Sequence, residues 1–392
     1  MINVKDRYFS LNRTLLLIVG LWPYNKSKFA GFQLICCFII LISFITFQFT
    51  TFMTSTCSAN FAIKIFSLIF SSISFIIQYN SFYVNSETVK YLMDQLQKIC
   101  DNLKDNKEIA ILERYGNYAK RFTVISTIVA CSCILIFTCV QLWSEFNDVF
   151  LSNKSRSYHL WIEMEYFIDH EKYFYLLILH INASLYIGLL LLLATATTLY
   201  AYLQYICGMF KIASYRIENT MKIYMSQCIK LQKINLVEGI KYAVDMHRKA
   251  IRFSEYLISS FEITFMLLIL CAIFVLSLNI LRTLQIVSSK FNIEEFSISV
   301  ISSFACILYM FFANFIGQEI TNHYNYLFTV AYNVRWYMAP LHIQRLILLL
   351  VQRGNKTFGL NIGGLFVASL QCFATLTNTS MSYFTVMYTT QK

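Results

Sequence analysis

Seven long apolar stretches, each with at most one charged residue, restrict the fold of this chain more than any other feature of its sequence. A helix needs about 20 apolar residues to cross the roughly 30 Å hydrocarbon core of a bilayer. We therefore predict an all-α membrane protein with seven transmembrane helices. The predicted crossings are residues 32–53, 61–83, 122–143, 173–207, 263–281, 296–318 and 358–388.

The composition agrees with a membrane protein and argues against a soluble globular domain. Of the 392 residues, 57% are hydrophobic and 14% are charged, whereas soluble domains carry about 25% charged residues. The fourth and seventh stretches are longer than one crossing needs, so we expect them to tilt or to project beyond the bilayer.

Basic residues are divided unequally between the two sides that this topology creates. Lys and Arg number 25 in the segments 1–31, 84–121, 208–262 and 319–357, against 6 on the other side, with Lys64 left over inside the second crossing. The positive-inside rule then places the N-terminus in the cytoplasm and the C-terminus outside. This orientation argues against a G-protein-coupled receptor, whose N-terminus is outside. Basic loops beside an anionic inner leaflet account for the net charge of +11, so we expect no nucleic-acid partner.

Two predicted cytoplasmic segments, 208–262 and 319–357, are expected to form a helical anchor below the membrane, within a single unit that spans 1–392. In the first, apolar and charged residues alternate at helical spacing. The second contains HIQRLILLLVQR, residues 342–353, whose apolar run is too short to span a bilayer. A buried anchor helix and a re-entrant segment are both compatible with this pattern, and we favour the anchor helix.

The last stretch has a polar face at membrane depth. Steps of three and four residues place the small polar side chains on one side of the helix: Thr375, Asn378, Thr379, Ser382, Thr389 and Thr390. The opposite side is bulky: Phe373, Leu376, Tyr383, Phe384 and Met387. Such a face contacts either another helix or water. Val386 interrupts the hydroxyls, as expected of an apolar gate in a pore that several subunits would line.

Four sequence blocks resemble insect odorant receptors: WYMAPLHIQRLILLLVQR (336–353), GQEI (317–320), SMSYFTVM (380–387) and AYLQYICGMFKIASYRIE (201–218). The resemblance implies an odorant-gated, non-selective cation channel in the plasma membrane of olfactory sensory neurons. It implies a heterotetramer with the odorant co-receptor Orco. The chain is similar to the odorant-specific subunit, because it lacks the long insertion that marks the second inner loop of the co-receptor.

The resemblance also implies functional residues at the pore and in the anchor. Val386 corresponds to the hydrophobic gate, and Thr389 and Thr390 correspond to the outer pore lining, with Ser382 below them. The subunit anchor is expected to include Trp336, Leu346, Leu349 and Leu350.

In this family the odorant site lies in the outer half of the bundle, between the second, third, fourth and sixth helices. Depth alone then selects Phe66, Ile69, Phe70, Ile73, Leu135, Ile136, Cys139, Val140, Leu177, His180, Ile181, Ser184, Ser302, Ala305 and Tyr309. Such an apolar lining suits an apolar odorant or pheromone. His180 and Tyr309 could orient a polar group of the ligand, although a histidine at this depth could instead bond a neighbouring helix. No cofactor or metal site is expected.

Two other functions remain as alternatives. A gustatory receptor would share the topology as a homomeric channel, but its last-helix signature differs from Ser382-Tyr383-Phe384-Thr385 of this chain. A membrane lipid-modifying enzyme would need a partner for His180 within its helix, and none is present. We further expect Glu262 and Glu319, near the inner membrane surface, to pair with basic residues.

Overall fold

The computed structural model describes residues 7–25, 27–54, 59–150, 162, 164–169, 172–226, 233–288 and 293–390. These residues form ten α-helices: α1 Ser10–Ile18, α2 Lys28–Thr54, α3 Ala59–Val84, α4 Ser86–Asp101, α5 Asn106–Phe150, α6 Phe174–Ser226, α7 Lys233–Ser288, α8 Ile293–Asn333, α9 Leu341–Arg353 and α10 Leu370–Thr390. A 3₁₀ turn, Trp336–Met338, precedes α9, and two short strands, β1 Asn361–Ile362 and β2 Phe366–Val367, precede α10.

Four helices are much longer than a membrane crossing requires. The helices α5, α6, α7 and α8 contain 45, 53, 56 and 41 residues, whereas about 20 residues cross the hydrocarbon core. Most of their surplus length lies at one end of the molecule, where α9 packs against α8. We call this the anchor end. The opposite end, which holds residues 164–169 and the last turns of α10, is called the loop end.

The centre of the hydrophobic core is the middle of α6. Tyr202, Tyr205 and Phe210 on this helix are almost fully buried. Its neighbours are α2, α3, α5, α7 and α8, and α1 also packs against it. An almost uninterrupted apolar sequence is what a helix surrounded on all sides requires.

The last predicted crossing differs from the structure at its start. We predicted a crossing over 358–388, but the helix begins only at Leu370. The preceding residues form an antiparallel hairpin in which Asn361 pairs with Val367 and Ile362 with Phe366. Gly363 and Gly364 take positive φ angles of 62° and 68° in its turn, a conformation that glycine adopts without steric cost. The apolar run therefore hid a turn, and α10 is not the long, tilted helix that its hydropathy predicted.

Six of the helices within the described ranges are long and apolar enough to cross a membrane, namely α2, α3, α5, α6, α7 and α8. These six agree with the first six predicted crossings. With 21 residues, α10 is about 31 Å long and could also span a bilayer, at 1.5 Å per residue. Its lower hydropathy reflects the hydroxyl groups on one of its faces.

Candidate functional site

His180 in the loop-end half of α6 is held by two hydroxyl groups. Its Nε2 lies 2.9 Å from Oγ of Ser43 on α2, and its Nδ1 lies 2.8 Å from the hydroxyl of Tyr166. Phe44 and Phe47 pack around the ring. Both ring nitrogens are therefore hydrogen-bonded within the protein. Of the two roles considered for His180, this arrangement corresponds to a bond with a neighbouring helix. A ligand could bond this imidazole only by displacing one of the two hydroxyls.

Three more of the predicted ligand residues lie around the same histidine. Leu177 and Ile181 belong to a buried cluster with Phe44 and with the loop residues Ile162, Met164 and Tyr166. Ser184 donates its hydroxyl to the carbonyl oxygen of His180 at 2.8 Å. This face of α6 is thus covered by α2 and by the loop, and not by α5 or α8.

Tyr309 takes part in a polar network that joins three helices. The side-chain amide of Gln78 on α3 donates to its hydroxyl at 2.9 Å, and Thr195 on α6 donates to the amide oxygen of Gln78 at 3.0 Å. Gln78 and Thr195 are buried. The hydroxyl of Tyr309 accepts one bond and retains its own proton as a donor, so this residue can still orient a polar group of a ligand.

The predicted residues of α3 divide between two faces of the helix. Phe70 stacks on Phe274 of α7 at 5.1 Å between ring centroids, and Phe274 in turn contacts Tyr383 of α10 at 6.1 Å. Phe66 packs against the cluster that contains Phe384 of α10. Ile69 is buried and Ile73 is half-buried. Two of the four residues therefore face the last helix instead of α5 and α8.

The predicted residues of α5 and α8 lie on poorly covered surfaces. Leu135, Ile136, Cys139 and Ala305 are exposed. Only 6% of the most apolar part of α5 and 11% of that of α8 are buried, against 22–44% in the other four candidate spans. Ser302 of α8 accepts a hydrogen bond from Asn279 of α7 at 3.1 Å. The Val140 side chain lies outside the described residues.

The polar face of α10 is open in the single chain. Ser382, Val386, Thr389 and Thr390 are all exposed, and the exposed fraction of Val386 is 59%. The buried residues of this helix are Leu376, Ser380 and Phe384. Ser380 is the hydroxyl residue that faces a neighbour: its carbonyl oxygen accepts from Ser277 of α7 at 2.8 Å. Tyr383, which we placed on the bulky side of the helix, is also exposed.

The base of α10 is fixed to α8. Ser369 caps the helix by accepting the N–H of Cys372 at 3.1 Å, and its own N–H donates to the Asn314 side chain on α8 at 3.2 Å. One turn further along α8, a Cβ atom on Gly317 would lie 2.5 Å from Cβ of Ala368. The glycine of the GQEI block therefore permits the hairpin to approach α8 closely.

The predicted anchor residues occupy two faces of α9 and the turn before it. Leu350 is buried against the chain itself, together with Ile343 and Ile347. Leu346 and Leu349 are exposed, and Trp336 is half-buried. Leu349 and its exposed apolar neighbours thus leave one side of α9 uncovered.

The polar partners of these residues escaped the sequence analysis. Ser43, Gln78, Tyr166 and Thr195 complete the bonds of His180 and Tyr309, and each lies on a different element from the residue that it supports. An amide such as Gln78 within an apolar crossing is itself a signal, because a polar group at membrane depth requires a partner.

Two solved structures share this fold. They are two structures of the insect olfactory receptor OR5 from Machilis hrabei, and the first is described in complex with eugenol. The first is 16% identical, with a TM-score of 0.79 over 99% of this chain and 98% of the receptor. The second is 17% identical, with a TM-score of 0.73 over 97% of each chain. No curated protein sequence matches significantly.

Residues 58–381 match the family model described as 7tm Odorant receptor. This match covers most of the chain, from α3 to the middle of α10, and the family consists of receptors, not enzymes. The seven crossings in the family description agree with counting α10 as the seventh. The multi-pass helical bundle and the family match lead to one conclusion: the chain belongs to the 7tm odorant receptor family of insects.

Proposed function

We propose that this chain is the odorant-specific subunit of a ligand-gated, non-selective cation channel. In this proposal it assembles with the co-receptor Orco in a heterotetramer of the plasma membrane of olfactory sensory neurons. Its N-terminus lies in the cytoplasm, and the anchor end, formed by 208–262 and 319–357, lies below the membrane. The odorant binds in the loop-end half, and α10 lines the pore.

The exposed polar face of α10 is the observation that carries the proposal. Ser382, Val386 and Thr389 follow one another at intervals of four and three residues, and all are exposed in the single chain. Hydroxyl groups that faced lipid would gain nothing there, whereas a water-filled axis between subunits would hydrate them. Val386 presents an isopropyl group between the hydroxyls, and a ring of such groups can close a pore by excluding water.

The hydroxyl groups of this face are oriented to favour cations. Ser382 donates to the carbonyl oxygen of Asn378 at 3.0 Å, Thr389 to that of Val386 at 2.9 Å, and Thr390 to that of Met387 at 2.9 Å. Because each proton is used within the helix, the lone pairs of the oxygen point away from it. A ring of such oxygens would solvate a passing cation and would offer no proton to an anion.

Exposed apolar residues at the anchor end support the proposed assembly. Leu341, Leu348 and Leu349 of α9 are exposed by 64%, 49% and 62%. Outside the membrane, an uncovered row of leucines marks a protein-interaction surface. We assign Leu346 and Leu349 with Trp336 to the contact between subunits, and Leu350 to the internal packing that holds α9 in place.

The proposed ligand is a small apolar odorant or pheromone. The surfaces of α5 and α8 that carry Leu135, Ile136, Cys139 and Ala305 would form one wall, and Ile69, Ile73 and Tyr309 would lie deeper. Each buried CH₂ group of a ligand contributes about 0.8 kcal/mol. Shape and apolar contact would therefore set most of the affinity, and Tyr309 would select for one polar group.

A row of aromatic rings offers a route from this site to the pore helix. Phe70 on α3 stacks on Phe274 of α7, and Phe274 contacts Tyr383 of α10. A ligand that favours one position of α3 would shift α10 through this row. Opening requires only that the ligand binds more tightly to the open arrangement.

Whole-cell recording tests the proposal. The chain is expressed alone and with Orco, and currents are measured during application of hydrocarbons, alcohols, esters and eugenol, the compound named with the OR5 structure. We expect an inward cation current that requires both chains and a ligand. Val386→Ala should add a current without ligand, because a smaller side chain widens the constriction. Val84→Ala, at an exposed valine at the end of α3, is the matched control.

Other outcomes discriminate between the alternatives. A ligand-gated current from the chain alone would favour the homomeric arrangement of gustatory receptors. Detection of a C-terminal tag on the intracellular side of the membrane would contradict the proposed orientation. It would also contradict the position of Thr389 and Thr390 at the outer mouth of the pore.

A further inference from the structure

A cavity of about 560 Å³ lies at the anchor end, beside the base of α10. Its walls come from α7, from α8 and from the segment that connects α9 with α10. This segment contributes Asn361 of β1 and Val367 of β2. This volume falls within the range of small-molecule sites, roughly 300 to 1,000 Å³. The cavity is remote from the loop-end half, where the proposed odorant residues lie.

The cavity is acidic. Glu255 and Glu262 are the charged residues among the side chains that line it, and no basic residue is among them. The expected partner of Glu262 is not found: within the described part of the chain, neither carboxylate makes a hydrogen bond or an ion pair. Glu319, by contrast, lies 4.0 Å from Nδ1 of His323. Two carboxylates thus face one cavity without a compensating positive charge from its own walls.

The remaining walls combine apolar and hydrogen-bonding groups. Ile258 and Leu360 are buried apolar residues, and Phe358 is half-buried. The hydroxyl and amide residues of the lining are Ser254, Ser259, Gln318, Thr321, Thr357, Asn361 and Ser369. An apolar body and a positive group are the two features that such a cavity would recognise together.

The spacing of the carboxylates does not suit a single metal ion. Glu255 and Glu262 are seven residues apart on α7, which is about 10 Å along the helix axis at 1.5 Å per residue. The described residues contain no group of three or more His, Cys, Asp or Glu side chains that could hold a metal. An organic ammonium ion needs only one carboxylate as its counter-charge, whereas a calcium ion requires 6 to 8 oxygen ligands around one point.

We propose that this cavity is a second ligand site, which takes a small organic ammonium compound with an apolar body. The ammonium group pairs with one of the two carboxylates and is attracted by the negative charge of the other, and the apolar body packs on Ile258, Phe358 and Leu360. An occupant also touches Ser369, the residue that caps α10 and bonds Asn314. Binding at the anchor end therefore bears directly on the base of the pore helix.

Fluorescence binding to the purified full-length chain in detergent tests the proposal. The probe is dansylcadaverine, which joins an aromatic group to a protonated amine, and dansylamide is its uncharged counterpart. We expect saturable binding of dansylcadaverine alone. The Glu255→Gln/Glu262→Gln double variant should weaken it at least tenfold. Glu238→Gln, which changes an exposed carboxylate of α7 outside the cavity, should leave the affinity unchanged.

A second variant covers the case in which the double variant does not fold. Ser259→Arg keeps both carboxylates and places a cation in the cavity from an exposed position, so it should also abolish saturable binding. Saturation by dansylamide, equal affinity of the native chain and a folded variant, or no saturable binding to the native chain would each overturn the proposal. The measurement requires no current, so a failure of the proposed channel function would not affect it.

Discussion

The hydroxyl of Tyr166 and Nδ1 of His180 lie 2.8 Å apart, which fastens the described part of the loop before α6 to the helix itself. On the other side of the ring, Ser43 holds Nε2 at 2.9 Å. The loop, α2 and α6 therefore meet at one imidazole. Since Tyr166 also packs on Phe47 at 4.3 Å between centroids, this contact combines a polar bond with an aromatic one.

Replacing Tyr166 by Phe should loosen this junction. The change keeps the ring but leaves Nδ1 of His180 without its partner, which typically costs about 1–3 kcal/mol when the group is buried. We expect a lower unfolding temperature in detergent and a changed concentration dependence of the odorant response. Tyr173→Phe is the matched control, because that residue is exposed near the same end of α6. Equal effects of the two changes would contradict the role of Tyr166.

Gln78→Leu should disturb the network of Tyr309. Leucine removes the bond to the Tyr309 hydroxyl and the acceptor of Thr195. Hydrogen bonds between membrane helices contribute about 0.6 kcal/mol on average, so the loss of stability should be modest. The odorant response should change more, since Tyr309 would reorient. The comparison is Tyr309→Phe, and a ligand profile that is the same in both variants and the native chain would argue against a ligand role of Tyr309.

The ion pair between Arg216 and Glu108 should be costly to break, because it is largely shielded from water. Arg216 of α6 donates to both carboxylate oxygens of Glu108 on α5, at 2.6 and 2.7 Å. Glu108→Gln should destabilise the chain by up to about 3 kcal/mol, because it leaves a guanidinium that is only 18% exposed without its counter-charge. Glu218→Gln breaks an exposed pair with Lys222 and should cost about 0.5 kcal/mol or less. Thermal unfolding of both variants distinguishes the two costs.

Acid should weaken the anchor end through His247. This histidine of α7 is buried and stacks on Tyr324 at 5.2 Å between centroids. Burial, followed by the charges of Arg353 and Arg248, lowers the pKa of His247 to about 4. Since the unfolded histidine binds a proton near pH 6.5, the free energy of unfolding should fall by about 1.4 kcal/mol per pH unit between 6.5 and 4.

The variant His247→Phe provides the corresponding test. It should flatten this part of the pH profile of thermal unfolding, because no group remains there to take up the proton. His342→Phe, at an exposed histidine of α9, serves for comparison. A slope that survives in His247→Phe would assign the acid sensitivity to another group.

Gly317→Val should displace the base of α10. A Cβ atom at this position would lie 2.5 Å from Cβ of Ala368 and 2.6 Å from its carbonyl oxygen, so the hairpin must move. Overpacking of this kind costs about 1–3 kcal/mol. We expect normal surface expression with Orco and a reduced odorant-evoked current. Gly31→Val, where no atom lies within 4 Å of the added Cβ, should conserve both, and a loss of current in it would void the comparison.

The helices were predictable because hydropathy is a local property that is summed over consecutive residues of the sequence. The first six crossings and the helix at 342–353 follow directly from apolar runs and their flanking charges. The residues that share the polar face of α10 were also predictable, because helical periodicity fixes which residues lie on the same side of a helix. The start of α10 was missed because Gly363 and Gly364 differ little from apolar neighbours on a hydropathy scale, although they form the turn.

The hydrogen-bond partners of the site residues could not be predicted from the sequence alone. Gln78 and Tyr309 are 231 positions apart, and Tyr166 reaches His180 from a loop whose path hydropathy does not define. Membrane depth selects residues by their level in the bundle, but it does not determine which way each one faces. Phe66 and Phe70 were therefore assigned to the ligand although their contacts are with α2, α7 and α10.

The uncovered polar face of α10 has a consequence for the proposed assembly of the receptor. If α10 lines the pore as proposed, a subunit that has been inserted but has not yet found its partners would present Asn378, Ser382 and Thr389 to lipid tails. In the proposed assembly, such an unassembled subunit would differ from an assembled one by polar groups that are exposed within the bilayer. The residues that would conduct ions in the finished complex would thus also identify incomplete ones, and release to the cell surface would depend on the supply of the partner.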